Sequence, residues 1–267
     1  AALSIKTGNV LHFWPEKTIQ HASKAFYECI KSALEHEGIN PDGIQLVDED
    51  TDTDLVVPQG TVSFVENVKD NFSNVVAGHA GNNSIYIDDE ADPYVAVESI
   101  ADAKAENDDS SVENLLVHKA MAESFLPIVQ NKLKDMGIVL KGCPETKEWI
   151  EVEEANEADY KKAAKNKSIC VKLVENVDEA IEFINTNGNN HTETILSEKE
   201  ENITKFMRNV NSSCIFKNAS TRTNSAKGFG VGVGLGVATS SVLKGPIDMK
   251  ALTTYKWVVD GSGQTID

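Results

Sequence analysis

The sequence predicts an α/β protein built on a parallel sheet, and three observations carry the prediction. Short β-rich apolar runs alternate along the chain with longer stretches of helical period, the order expected of strand–helix–strand crossovers. Glycines stand where two of the helical stretches stop, at Gly38 and Gly137. No repeat of solenoid period is present, so the alternation belongs to packed layers rather than to a stacked array.

Taken in order, "GNVLHFW" (8–14) is an apolar run after a glycine, predicted as a strand and stopped by Pro15. In "KTIQHASKAFYECIKSALEHEG", Ile19, Ala22, Ala25, Phe26, Cys29, Ile30 and Ala33 recur at helical spacing and predict an amphipathic helix. "GIQLVD" and "TDLVVPQG" are short β-rich runs, "VSFVENVKDNF" is helical, and "NVVAGH" and "NSIYID" are strand-like. "DPYVAVESIADAKAEN" is a helix whose acidic start favours the helix dipole.

The second half continues in the same style. "NLLVH" is a strand, "AMAESFLPIVQNKLKDMG" an amphipathic helix and "GIVLKG" a strand. Residues 144–167 are charged and poorly periodic, which predicts a surface excursion. "SICVKLVE", "HTETILS" and "SSCIFKN" are strands, separated by the helices "NVDEAIEFINTNG" and "EKEENITKFMRNV". "TTYKWVVDG" predicts a terminal strand over 250–259. A second α/β domain is therefore expected to begin near residue 106.

Composition narrows the function classes. A 267-residue chain with 40% hydrophobic residues can build one large core or two modest ones. The net charge of −17 repels phosphate backbones, so no nucleic-acid partner is expected, and anionic lipid headgroups are disfavoured. No apolar run reaches the length of a membrane helix, so direct membrane insertion is not expected. Cys29, Cys143, Cys170 and Cys214 have no metal-ligand spacing and read as reduced thiols of an intracellular protein. No metal is expected. A start at Ala1 is compatible with a removed targeting peptide, so an organelle (plastid or mitochondrion) stands beside the cytoplasm as the expected compartment.

The run "GFGVGVGLGVATSS" (228–241) tests for a nucleotide loop and fails. Strictly alternating glycines never give the two-then-three spacing of the dinucleotide fingerprint, and no lysine closes a P-loop.

The motifs "HTE", "NASTR", "KGP" and "ALTTYK", in that order, resemble the C-terminal part of gamma-glutamyl phosphate reductase, also called glutamate-5-semialdehyde dehydrogenase. "NLLVH", "LKDMGIVLKGC", "GNNSIYIDDEADPYVA" and "DLVVPQG" fit at the expected places. The resemblance covers nearly the whole chain. It implies an aldehyde dehydrogenase-like fold: a partial Rossmann-like cofactor domain (1–105), beginning inside that domain, an α/β catalytic-type domain (106–230), and a return segment with an oligomerisation-type strand (231–267). It also implies NADP-dependent chemistry of proline biosynthesis through a cysteine thiolate. The glycine run falls on an active-site loop of the family.

The family's functional residues are poorly matched. The cysteine motif of the R-P-G-x-C-N-A-M-E-T type is replaced by "KAENDDSSVEN", so Asp108, Asp109, Ser110 and Ser111 stand where the nucleophile belongs, and only Glu113 keeps the motif's acid. A serine needs an adjacent base, His118 is the one histidine nearby in sequence, and two aspartates oppose a developing oxyanion. Trp14, Pro15 and Glu16 replace a lysine and two glycines at the adenosine end of the cofactor site, and Gln59 replaces an arginine. Lys244 stands where the family has arginine. His79, His191, Thr192, Asn218, Ser220, Thr221 and Arg222 keep family positions. His191, Asn218, Ser220, Thr221 and Arg222 are therefore the candidate residual ligand contacts, Arg222 for a small carboxylate.

These departures predict a degenerate member of the family, without bound cofactor, serving as a structural or interaction subunit held to a protein partner or a second copy by the terminal strand. Two alternatives stand beside it. One is an active NADP-dependent dehydrogenase using Cys143, Cys170 or Cys214. The other is a small-carboxylate-binding module.

Overall fold

A computed structural model describes residues 1–49, 52–78, 80–164, 166–225, 227–240 and 243–265. It divides into two compact units. The first comprises Ala1–Thr53, Val233–Leu235 and Ile247–Asp267; the second comprises Asp54–Gly232 and Gly236–Pro246.

In the first unit, helix α1 (Ala2–Thr7) precedes strand β1 (Leu11–Phe13), helix α2 (Gln20–His36) and strand β2 (Ile44–Leu46). β1 and β2 pair in parallel, Leu11 opposite Ile44. Pro15 follows β1 and α2 gives way to Gly38 in the left-handed region, as expected. The predicted apolar face of α2 is not a buried face. The helix buries Ser23 and Leu34, while Phe26 and Cys29 lie in solvent. Helical period reports which residues share a face, not whether a neighbouring layer is broad enough to cover it.

The second unit begins with helix α3 (Val62–Asn71), capped by the Thr61 hydroxyl, and continues through strand β3 (Asn83–Ile87), helix α4 (Pro93–Ala103) and strand β4 (Val112–His118). Helix α5 (Ala122–Asp135), strands β5 (Val139–Gly142) and β6 (Glu153–Glu154), helix α6 (Glu157–Tyr160) and strand β7 (Ser168–Val174) follow. Helix α7 (Val177–Asn187), strand β8 (Thr192–Leu196), helix α8 (Glu200–Asn209) and strand β9 (Cys214–Lys217) complete the layers, and strands β10 (Val237–Thr239) and β11 (Lys244–Pro246) form an antiparallel pair.

Seven strands build one wholly parallel sheet in the order β6-β5-β7-β4-β3-β8-β9. Both faces are covered, which is why its central strands are continuous apolar runs. Ile85, Leu115, Val117 and Val171 pack against Ile100 of α4 and Phe125, Leu126 and Leu133 of α5. Tyr86, Leu116 and Ile195 pack on the opposite face against Ile184 of α7 and Phe206 of α8. Side-chain caps start α4 and α7. Asp92 accepts from the amides of Tyr94 and Val95, and Asn176 from those of Asp178 and Glu179.

Four expectations need correction. The boundary does not fall at residue 105, because β3 sits between β4 and β8 in the middle of the sheet; the units part near residue 53. Residues 144–167 are not wholly a surface excursion: Thr146, Ile150 and Tyr160 are buried and β6 forms the sheet's edge. "TDLVVPQG" and "NVVAGH" meet in a single parallel bridge, Val56 to Val75, rather than as strands. Finally, 250–259 forms no strand. Tyr255, Trp257, Val258 and Val259 are 80–87% exposed, and β-propensity without a ladder partner does not make a strand.

Candidate functional site

The Asp108–Ser111 turn joins α4 to β4 at the N-terminal ends of the central strands. The Asp108 side chain accepts from the Ser110 amide at 2.9 Å, and the Asp108 carbonyl accepts from the Ser111 amide. The Asp109 carbonyl accepts from the Gly81 amide and, at 3.0 Å, from the Asn83 side chain, which also donates to the Ser111 carbonyl. The turn is thus fastened to β3 through its backbone. Ser110 and Ser111 are buried. The Ser110 hydroxyl donates to the Asn224 carbonyl at 3.3 Å, and among the described residues the Ser111 hydroxyl has no hydrogen-bond partner.

His191, at the start of β8, is buried. Its Nδ1 lies 2.9 Å from the Thr192 hydroxyl and 3.2 Å from Asn83 Oδ1. The Asn224 side chain donates to the Thr192 hydroxyl, and the Cys214 thiol donates to Asn224 Oδ1 at 3.7 Å. A buried polar layer results, made of Asn83, Ser110, His191, Thr192, Cys214 and Asn224. Among the described residues, the fold brings His191 and Ser110 into this layer and leaves His118 outside it, at the far end of β4, where its ring accepts from the Ala120 amide. His79 lies outside the described residues.

The "NASTR" residues follow β9. Asn218 adopts φ +50° and clamps the end of β8, accepting from the Ser197 amide and donating to the Ser197 carbonyl, both at 3.0 Å. The Ser220 hydroxyl caps the short 3-10 turn Thr221–Thr223. Thr221 is fully buried. Arg222 turns back to carboxylates of its own chain: Nη1 lies 3.1 Å from Asp102, Nη2 3.2 Å from Glu106 and Nε 3.8 Å from Asp108. Asn218, at the end of β8, and His191, at its start, therefore do not belong to one ligand cradle, and the Arg222 guanidinium is occupied by carboxylates.

The thiols differ. Burial pushes Cys170 and Cys214 up to about 11, which keeps both protonated. Burial also raises Cys143, but the Thr146 hydroxyl and neighbouring backbone groups outweigh it and hold its pKa below the usual thiol value. Cys143 follows β5, with β7 between that strand and β4. Trp14, Pro15 and Glu16 follow β1 in the first unit, Trp14 half exposed. Gln59, in the second unit, is exposed in irregular backbone before α3.

Residue reasoning missed Asn83, Asn224 and Glu193. Glu193 is wholly buried; its oxygens accept from the Ser84 amide and the Ser212 hydroxyl, and burial raises its carboxyl to about 8. The "HTE" motif contained that acid, but its burial depends on β3 lying alongside. Among the described residues, no three His, Cys, Asp or Glu side chains gather as a metal site, and no helix is long and apolar enough to cross a membrane.

The all-parallel sheet covered on both faces, followed by an Asn-Ala-Ser-Thr-Arg turn after one outer strand, is of the aldehyde dehydrogenase-like fold class. In keeping with that, an acetylating aldehyde dehydrogenase from Geobacillus thermoglucosidasius superposes at a TM-score of 0.74 with 17% identity, covering 99% of this chain and 72% of that one. A crystal structure of gamma-glutamyl phosphate reductase from Thermotoga maritima superposes at 0.92 with 32% identity, over 99% of this chain and 68% of that one. Gamma-glutamyl phosphate reductases of Natronomonas pharaonis and Caldanaerobacter subterraneus are each 34% identical, over 100% and 99% of this chain and 64% and 68% of theirs. The chain belongs to the gamma-glutamyl phosphate reductase family. It spans 64% of the length of the Natronomonas relative. No protein-family model matches it.

Proposed function

We propose that this chain is a non-catalytic member of its family that serves as a structural or interaction subunit. One observation carries the reading: the turn matching the family's cysteine motif holds Asp108, Asp109, Ser110 and Ser111 and no thiol. The Ser110 hydroxyl is engaged by a carbonyl, His191 directs Nδ1 to Thr192 and Asn83, and a hydroxyl without a base is a weak nucleophile. Cofactor binding is proposed to be absent, because Trp14, Pro15, Glu16 and Gln59 replace the residues the resemblance assigns to the nucleotide. The proposed partner is a protein or a second copy that pairs with the Tyr255–Val259 segment, where Tyr255, Trp257, Val258 and Val259 are all exposed. The proposed setting is intracellular, in the cytoplasm or an organelle.

The test is NADP⁺ reduction with glutamate-5-semialdehyde. The reading expects no rate above background, and titration with NADPH is expected to give no saturable change in nicotinamide fluorescence. A second reading, an active NADP-dependent glutamate-5-semialdehyde dehydrogenase, draws support from the lowered Cys143 thiol. It predicts a rate abolished by alkylation and by Cys143→Ser. The third reading, a small-carboxylate site on Arg222, must displace three carboxylates already facing the guanidinium.

A further inference from the structure

We propose that Arg222 with Asp102, Glu106 and Asp108 forms an electrostatic latch, which holds the Ser220–Asn224 segment as a lid over the Cys214 thiol. The lid is one 3-10 turn, a conformation with poor internal hydrogen bonds that does not persist by itself. It also carries a cost: Thr221 is fully buried and, among the described residues, its hydroxyl has no hydrogen-bond partner. Something outside the turn must offset that cost. On the inner side of the lid, its own Asn224 donates to the Thr192 hydroxyl and accepts from the Cys214 thiol and the Ser110 hydroxyl. On the solvent side, Arg222 presents its guanidinium fork to Asp102, whose carbonyl it also meets at 3.4 Å, and to Glu106 and Asp108.

The latch ties the lid to the end of α4 and to the turn before β4, so one cation fixes three segments. Arg222 is a quarter exposed and its three partners are about half exposed or more. Added salt therefore reaches the latch, while the buried sheet is little affected. Opening uncovers Cys214, which is 6% exposed when the lid is seated. Cys170 is equally buried, in β7 on the far side of β4, and is not under the lid.

The experiment is iodoacetamide labelling read peptide by peptide, with exposed Cys29 reporting reagent activity and Cys170 reporting opening of the sheet. Raising salt from about 0.05 M to about 1 M is expected to speed labelling of Cys214 roughly tenfold relative to Cys170. Arg222→Gln is expected to reproduce the fast rate at low salt and to abolish the salt dependence; Arg222→Lys, which keeps the charge but not the fork, falls between. Labelling of Cys214 that keeps step with Cys170 at every salt concentration overturns the proposal. If Arg222→Gln does not fold, the salt series on the unaltered chain decides alone.

Discussion

Replacing Glu193 with glutamine should remove a pH-dependent loss of stability. The folded carboxyl has a pKa near 8 against an ordinary value of 4.5. Burial is the leading cause, and the opposing donors, the Ser84 amide and Ser212 hydroxyl, are too few to hold a charge there. The sign follows from the raised folded value. Below pH 4.5 the group is neutral in both states and its contribution is fully present. From there to about pH 8 the unfolded chain releases the proton and the folded chain keeps it, so stability falls as pH rises; above pH 8 the loss is complete. The gap of about 3.5 units (8 − 4.5) at about 1.4 kcal/mol per unit sets the full loss on the order of 5 kcal/mol. Glutamine is neutral throughout. Its oxygen can accept from the Ser84 amide while its nitrogen donates to the Ser212 oxygen, since a hydroxyl serves either role. Urea denaturation of parent and Glu193→Gln at pH 5, 7 and 9 is the assay. The difference is expected to be small at pH 5 and to favour the variant by several kcal/mol at pH 9, with all other titrations cancelling. Parallel stability curves would refute the reasoning.

Lys104→Met removes one partner of a buried ion pair, Nζ to Glu113 at 2.9 Å, and should cost about 3–5 kcal/mol in urea melts. Lys104→Met combined with Glu113→Leu should recover part of that loss, because no uncompensated charge remains. Phe206→Ala empties a fully buried position stacked on Tyr86 at 6.4 Å and should cost about 3–5 kcal/mol, seen as a lower thermal midpoint. Gly78→Ala would place a Cβ 1.9 Å from the Val237 carbonyl oxygen, so β10 must shift; an increase in amide exchange at Ala238 and Thr239 is the readout, and unchanged exchange would contradict the close approach.

The sequence by itself determined whatever depends on near neighbours. The alternation of strand and helix, the acidic start of the helix "DPYVAVESIADAKAEN", the stops at Gly38 and Gly137, and the serines in place of the cysteine were all legible, because propensity, terminal charge and motif order act over a few residues. Tertiary structure alone decided which strands meet. β3 and β8 are neighbours although Ser84 and Glu193 stand 109 positions apart, and that pairing buries Glu193, joins Asn83 to His191 and puts the unit boundary near residue 53 instead of 105. Arg222 also found its acids through the fold, with Asp102 120 positions away. The misread face of α2 and the unformed strand at 250–259 have the same origin. A local pattern shows what a segment is able to bury or pair, but burial and pairing need a second surface, and the energy that selects that surface is spread over long-range contacts no short window contains.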